Sequence, residues 1–142
     1  MKIKIFALTH KKFEVPQDKM YQPLQVGREG KEDLGYLCDN TGDNISAENC
    51  YYSELTGLYW IWKNVHAYKY VGTCHYRRYL LNEQEKIFTE TEYLELLKDY
   101  DLITTKRVVL NNSYHYGFAT NHNIHALDMT GEVIKELYPE YY

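Results

Sequence analysis

Two short segments near the start of the chain have the hydrophobic pattern of β-strands. Residues 2–8 alternate charged and apolar side chains before becoming fully apolar, and residues 21–26 form a second apolar run closed by Gly27. Alternation with a period of two is typical of a strand with one buried face. We therefore predict strands over both segments and expect the first to end at Thr9-His10-Lys11-Lys12.

Three later stretches have helical periodicity. Residues 53–65 carry apolar side chains at helical spacing, which predicts a helix that buries the face formed by Leu55, Leu58, Tyr59, Trp62 and Val65. Thr89-x-x-Glu92 is a capping box. It predicts a second helix with one face formed by Tyr93, Leu96, Leu97 and Tyr100. A third helical pattern covers residues 124–138 and is stopped by Pro139.

The remaining segments complete the predicted order of strands and helices along the chain. Residues 70–74 are apolar and predict a strand, residues 101–105 and 107–110 are strand-like, and residues 111–123 are polar. Strands that alternate with helices favour an α/β fold with a mostly parallel sheet. Residues 28–49 are polar and rich in Gly, Asp and Asn, and a loop of this length in a compact domain is typically functional.

Composition narrows the class of ligand. Sixteen Lys and Arg against 20 Asp and Glu give a net charge of −4, which argues against nucleic acid or anionic membranes as broad partners. Sixteen of the residues are Tyr and only 4 are Phe. Tyr-rich surfaces stack and hydrogen-bond, as sugar and nucleotide sites require, although a core built from Tyr explains the same count. Three cysteines without a CxxC pair, and no leader or membrane-spanning run, predict a cytoplasmic protein.

The strongest candidate site follows the strand predicted at residues 70–74. Ligands of open α/β sheets bind at the carboxyl ends of the strands, and His75, Arg77 and Arg78 lie there. Arg presents a planar fork of donors that matches phosphate, so these residues predict a clamp for a diphosphate. If the strand stays extended, Thr73, His75 and Arg77 share one face. The alternative is an Arg paired with Glu83 or Glu85 and a structural His75.

Two further groups are candidate substrate contacts. Asp43, Asn44 and Ser46 can bind a nucleoside, or they form a turn leading into a helix cap. Thr9 and His10 end the first strand, where His10 with Lys11 and Lys12 is either a phosphate contact or a solvated basic turn.

Metal sites have weaker support. His115, His122 and His125 have a spacing that can hold zinc, but no Cys lies at a matching position. Asp99-Tyr100-Asp101 is the one Asp-x-Asp of the chain, and it precedes a strand-like run instead of following one. We therefore assign no metal ligand, and the sequence leaves open whether Mn²⁺ or Mg²⁺ serves as a cofactor. The sequence has no P-loop, GxGxxG, GxSxG or HExxH, which disfavours ATP hydrolysis, Rossmann redox chemistry and common hydrolases.

Several motifs resemble a bacterial family of capsular and exopolysaccharide synthesis glycosyltransferases that was formerly a domain-of-unknown-function family. They are Thr9-His10-Lys11, Asn40-Thr-Gly-Asp-Asn-Ile-Ser46, Glu54-Leu-Thr, Tyr59-Trp-Ile-Trp-Lys-Asn64, Gly72-x-x-His75-Tyr-Arg-Arg-Tyr79, Tyr100-Asp-Leu-Ile103 and Tyr138-Pro-Glu-Tyr141. The resemblance covers essentially the whole chain. It implies a GT-A-like fold and a nucleotide-sugar donor whose hexose goes to a lipid-linked or oligosaccharide acceptor, with peripheral membrane association at the cytosolic face as an open question.

The family continues beyond the motif at residues 138–141, whereas this chain ends at Tyr142. We therefore expect residues 1–142 to form a single glycosyltransferase-like domain, the N-terminal portion of the fold, without the acceptor and catalytic part. Many GT-A enzymes hold a divalent metal on the diphosphate with an Asp-x-Asp motif; in the comparable place of this chain, His75, Arg77 and Arg78 are expected to neutralise the leaving diphosphate instead. The alternatives are a non-catalytic nucleotide-sugar-binding remnant and a metal-dependent phosphoesterase that uses Asp39, Asp43 and the histidines.

Overall fold

A four-stranded parallel sheet organises the first part of the chain. In the computed structural model, which describes residues 2–142, the strands are β1 (Ile3–Thr9), β2 (Tyr21–Gln25), β3 (Leu37–Cys38) and β4 (Tyr70–His75). Their order in the sheet is β3-β2-β1-β4, and every neighbouring pair is parallel. The predicted α/β class and the strands predicted over residues 2–8, 21–26 and 70–74 are confirmed, whereas β3, inside the long polar loop, was not predicted.

Both faces of the sheet are covered by helices, as expected for parallel strands. Helix α2 (Leu55–Asn64) covers one face, with a core of Phe6, Leu8, Leu24, Val26, Trp60 and Ile61. Helix α3 (Glu90–Leu96) covers the other, with a core of Ile3, Ile5, Met20, Tyr21 and Tyr93. Short helical turns at Ser46–Glu48 and at α1 (Asn49–Tyr52) lead into α2.

Helix α2 forms as predicted but buries a different face. Its buried residues are Thr56, Gly57, Trp60 and Ile61, whereas Leu55, Leu58 and Trp62 are exposed. A Cβ on Gly57 would lie 2.6 Å from Val26 Cγ1, so the small face is the one that approaches the sheet closely. The predicted burial of the Leu55–Trp62 face was therefore wrong.

The predicted capping box is confirmed. The Thr89 side chain accepts a hydrogen bond from the Glu92 backbone N–H, and the Glu92 carboxylate accepts one from the Thr89 backbone at 2.8 Å. Tyr93 is buried, but the helix ends at Leu96, so Tyr100 lies outside it and is exposed. That part of the predicted face was wrong.

The last part of the chain differs most from expectation. Residues 101–110 form no strand, and the polar segment after them contains helix α4 (Tyr114–Asn121), whose N-cap is Ser113. Helix α5 (Ile124–Leu137) and a helical turn at Pro139–Tyr141 follow, close to the predicted bounds.

The structure divides into two compact units, one ending at Thr104 and the other covering Thr105–Tyr142. The single-domain expectation therefore stays a prediction. Within the described chain, the helices are too short or too polar for any of them to cross a membrane.

Candidate functional site at the carboxyl ends of β1 and β4

The ends of two neighbouring strands bring the strongest candidates together. β1 and β4 pair in parallel register, with Leu8 opposite His75, so both strands end at the same edge of the sheet. The Tyr76 backbone N–H donates to the Leu8 carbonyl oxygen at 3.1 Å and fixes the chain as it leaves β4. The residues after Thr9 and the residues after His75 therefore lie beside one another.

The chain turns sharply at His75 instead of staying extended. The Arg78 backbone N–H donates to the His75 carbonyl oxygen at 2.8 Å and closes a four-residue turn with Tyr76 and Arg77 at its centre. The condition under which Arg77 would share the face of Thr73 and His75, an extended strand, is therefore not met. The turn leaves Arg77 and Arg78 exposed at the edge of the sheet.

Tyr76 is the centre of an aromatic and cationic cluster that sequence reasoning missed. It is 5% exposed, and its ring lies 5.6 Å from the His10 ring and 5.7 Å from the Phe13 ring. Lys11 Nζ lies 5.5 Å from the ring centroid and Arg77 Cζ lies 5.1 Å from it. Cations over a tyrosine face are attracted by its quadrupole. Groups that follow both strands therefore meet on one ring.

The two arginines have no anionic partner in the protein. Within residues 2–142, neither guanidinium makes an ion pair or donates a hydrogen bond, and Glu83 and Glu85 do not pair with them. A guanidinium carries five N–H donors in a fixed fork, which suits a phosphate group. Both arginines are therefore available to an anionic ligand.

His75 is held in its neutral form. Its Nδ1 accepts a hydrogen bond from the Arg77 backbone N–H at 3.3 Å, and its Nε2 lies 3.9 Å from Glu54 Oε1. Partial burial lowers the pKa of His75, and the charges of Arg77, Arg78 and His10 lower it further, while Glu54 raises it. The positive charge at this edge therefore comes from the arginines and Lys11, and His75 is a neutral hydrogen-bonding group near pH 7.

The other strand-end candidates differ in what they can contact. Thr9 is buried, and its Oγ1 closes the turn after β1 by donating to the Lys11 carbonyl oxygen at 2.6 Å. His10 is exposed beside Tyr76. His10 is thus accessible to a ligand, whereas the Thr9 hydroxyl is engaged within the turn, and its contact with substrate stays a prediction.

Asp39 organises the loop that follows β3. It is fully buried, and each of its carboxylate oxygens accepts two hydrogen bonds. The donors are the Gly27 backbone N–H at 2.7 Å, the Arg28 backbone N–H at 3.1 Å, Ser46 Oγ at 2.6 Å and Thr56 Oγ1 at 2.7 Å. The carboxylate joins the end of β2, the loop and α2, and it leaves no lone pair for a metal ion.

The predicted nucleoside contacts lie around this loop. Ser46 is buried against Asp39 and accepts a hydrogen bond from the Glu29 backbone N–H at 3.1 Å, so its hydroxyl serves the loop. Asn44 Oδ1 accepts from the Ser46 backbone N–H in an Asx turn. Asp43 is exposed and accepts from the Tyr59 hydroxyl at 3.1 Å. Of the three, Asp43 is the most accessible to a ligand, and all three stay predictions as substrate contacts.

The histidines and the Asp-x-Asp do not assemble a ligand set. Across residues 2–142, no three His, Cys, Asp or Glu side chains lie close enough together to hold a metal ion. His115 Nε2 lies 3.9 Å from Asp128 Oδ1, and both are exposed, as are Asp99 and Asp101. A cavity of about 200 Å³ between α2 and the sheet is lined by residues such as Gln22, Trp60 and Tyr68, and by none of the predicted site residues.

Comparisons with known proteins place the fold. The chain belongs to the family described as Domain of unknown function (DUF4422), whose model matches residues 4–142 and so spans both units. Its structure is similar to that of WbbM, a bifunctional glycosyltransferase solved in its apo form, with a TM-score of 0.76 and 26% identity. Among proteins of curated function, none matches this chain.

The match to that structure covers 99% of this chain but only 30% of the other, so the chain spans less than a third of that protein. The parallel sheet with helices on both faces and this match define a glycosyltransferase-like α/β fold of the GT-A kind. The expected family is confirmed at that level.

Proposed function

We propose that this chain is a glycosyltransferase that binds the diphosphate of a nucleotide-sugar donor at the turn formed by residues 75–78. The observation that carries the proposal is the pair of exposed guanidinium groups, Arg77 and Arg78, which have no partner within residues 2–142 at the carboxyl edge of a parallel sheet. That edge is where ligands of open α/β sheets bind. The similarity to the structure of a bifunctional glycosyltransferase supports the proposed class of enzyme.

The chemistry assigned to the arginines is electrostatic. When the bond between the sugar and the diphosphate breaks, negative charge builds on the leaving nucleotide, and fixed positive donors lower the barrier. Arg77 and Arg78 supply that charge directly in this proposal, where other transferases use a divalent metal. His75 contributes as a neutral neighbour, and His10 and Asp43 are proposed contacts to the donor.

The finer assignments rest on the family resemblance alone. We propose a hexose as the transferred sugar and a lipid-linked or oligosaccharide precursor of a capsular or extracellular polysaccharide as the acceptor. On the same ground we propose that the reaction takes place on the cytosolic side of the membrane.

Calorimetry against nucleoside diphosphates and nucleotide sugars, with and without Mn²⁺, tests the proposal. We expect one nucleotide to bind without metal and Arg77→Ala to weaken its binding by at least tenfold. Lys69→Ala, exposed just before the start of β4 and so at the opposite edge of the sheet, should have no effect. A tenfold change corresponds to about 1.4 kcal/mol, below the usual value of about 1.5–3 kcal/mol for hydrogen bonds to charged groups.

Three results have distinct meanings. Binding that requires Mn²⁺ and survives Arg77→Ala would contradict the arginine clamp. Binding without donor hydrolysis or transfer would select the non-catalytic nucleotide-sugar-binding alternative. No nucleotide binding by a folded sample would refute the proposed function.

A further inference from the structure

Lys11 is a further cation beside the anion site, the proposed diphosphate site at the turn of residues 75–78. Lys11 follows β1, sixty-five positions before Tyr76 in the chain, yet its Nζ lies 5.5 Å from the centroid of the Tyr76 ring. The ring is fixed by burial, by Phe13 at 5.7 Å and by the hydrogen bond from its own backbone N–H to Leu8. A flexible lysine over a fixed aromatic face loses part of its conformational freedom before any ligand arrives.

The ammonium group of Lys11 also has no carboxylate partner in the described chain. Among residues 2–142, no carboxylate lies within 4.0 Å of Lys11 Nζ, and the one acid that pairs with the cluster is Glu54, which faces His75. Arg77 lies over the same ring with its guanidinium free. Two cations without partners on one ring form a concentrated positive patch in a chain whose net charge is −4.

Lys12 supplies an internal comparison. It is the next residue and is also exposed, but within the described chain its Nζ makes no hydrogen bond, ion pair or ring contact. The sequence alone did not separate the two lysines, since both belong to one basic turn. The structure separates them by the contact with Tyr76.

We propose that the anion site spans the ends of β1 and β4, with Lys11 binding the phosphate groups and the Tyr76 ring positioning it. This inference rests on the proposed function, since the ligand is the diphosphate of the same donor. It makes Lys11 a binding residue and Tyr76 a positioning residue that acts through Lys11 and Arg77.

Titration calorimetry with inorganic pyrophosphate, repeated at several salt concentrations, tests the inference on the whole chain. We expect Lys11→Ala to weaken the binding of pyrophosphate about tenfold. It should also reduce the slope of log Kd against log salt concentration, because one fewer cation engages the ligand. Lys12→Ala should change Kd less than twofold. Tyr76→Phe keeps the ring and should bind as the parent does, whereas Tyr76→Leu should lose as much as Lys11→Ala.

Equal pyrophosphate binding by Lys11→Ala and Lys12→Ala would overturn the inference, as would a loss in Tyr76→Phe equal to that in Tyr76→Leu. Because Tyr76→Leu removes a buried ring and can prevent folding, the two exposed lysine variants carry the test without it. The proposed function fails separately, when the parent binds neither pyrophosphate nor any nucleotide. If Arg77→Ala loses binding while Lys11→Ala does not, the proposed function stands and this inference fails.

Discussion

At the scale of single residues, Asp39 is the side chain on which the loop of residues 39–46 depends. It is fully buried and accepts hydrogen bonds from four donors, two of them backbone N–H groups. Asp39→Asn keeps the shape but turns an amide donor toward two of those donors. We expect it to lower the free energy of unfolding by about 2 kcal/mol, measured by urea denaturation.

The exposed Asp101→Asn is the matched control for Asp39 and should change the free energy of unfolding by less than about 0.5 kcal/mol. If Asp39→Asn is as stable as that control, the four hydrogen bonds do not hold the loop in solution.

His75 gives a prediction of pH dependence with a definite sign. Burial and the charges of Arg77 and Arg78 lower its pKa from the ordinary value of 6.5, and Glu54 raises it. Above pH 6.5 both the folded and unfolded forms carry a neutral ring, and His75 has no effect on stability. As the pH falls below 6.5, the unfolded chain binds the proton first, so the titration of His75 lowers the free energy of unfolding progressively until the pH is below its folded pKa.

A titration of the His75 ring by NMR measures this directly. The midpoint should lie below 6.5 in the parent, move lower in Glu54→Gln and move higher in Arg77→Ala. Shifts of the same sign in both variants would contradict the assigned electrostatics, because the two neighbours carry opposite charges.

At the scale of elements, the close approach of α2 to the sheet depends on Gly57. A Cβ there would meet Val26 Cγ1 at 2.6 Å and Leu8 Cδ2 at 3.0 Å, both side chains in the core. Gly57→Ala should therefore destabilise the fold by about 1–2 kcal/mol, since overpacking outweighs the gain in helix propensity. Urea denaturation of the variant measures the change.

Gly117→Ala makes the same chemical change in α4, where no atom lies within 4 Å of the new Cβ. It should leave stability unchanged or raise it by up to about 1 kcal/mol. Equal effects of the two variants would show that α2 can move away from the sheet at little cost.

The same helix shows where sequence reasoning reached its limit. Residues 55–64 have apolar side chains on most sides, so periodicity predicts a helix but cannot choose the face that is buried. The buried face is set by the small residues Thr56 and Gly57 and by Trp60, whose Nε1–H donates to the Thr41 carbonyl oxygen at 2.9 Å. These contacts join segments distant in sequence, which a local pattern does not contain.

The candidate site was predictable to a similar degree. The position of His75, Arg77 and Arg78 at a strand end followed from the apolar strand predicted at residues 70–74 and the rule for open sheets. The turn after His75 and the cluster on Tyr76 did not, because they depend on the register between β1 and β4. The strand predictions over residues 101–110 were wrong because local propensity forms a strand only where a partner strand is present. In the described chain no strand pairs with these residues.

At the scale of the whole molecule, the two units differ in how they bury apolar side chains. The unit ending at Thr104 contains both hydrophobic cores, whereas no residue of Thr105–Tyr142 is buried. Large side chains of the second unit, such as Tyr114, Met129 and Leu137, are exposed by more than half. Helices of 8 and 14 residues gain little stability without such burial.

Hydrogen exchange should therefore separate the two units. We expect the amides of β1, which is paired on both sides, to exchange only through global unfolding, with rates that respond steeply to low concentrations of urea. The amides of α4 and α5 should exchange faster, through local opening that urea barely affects, because opening them exposes little apolar surface. Equal protection and equal urea dependence in β1 and α5 would mean that both units unfold as one cooperative structure. In that case Gly117→Ala would change the protection of the β1 amides as well as that of the α5 amides; otherwise it should change protection in the second unit alone.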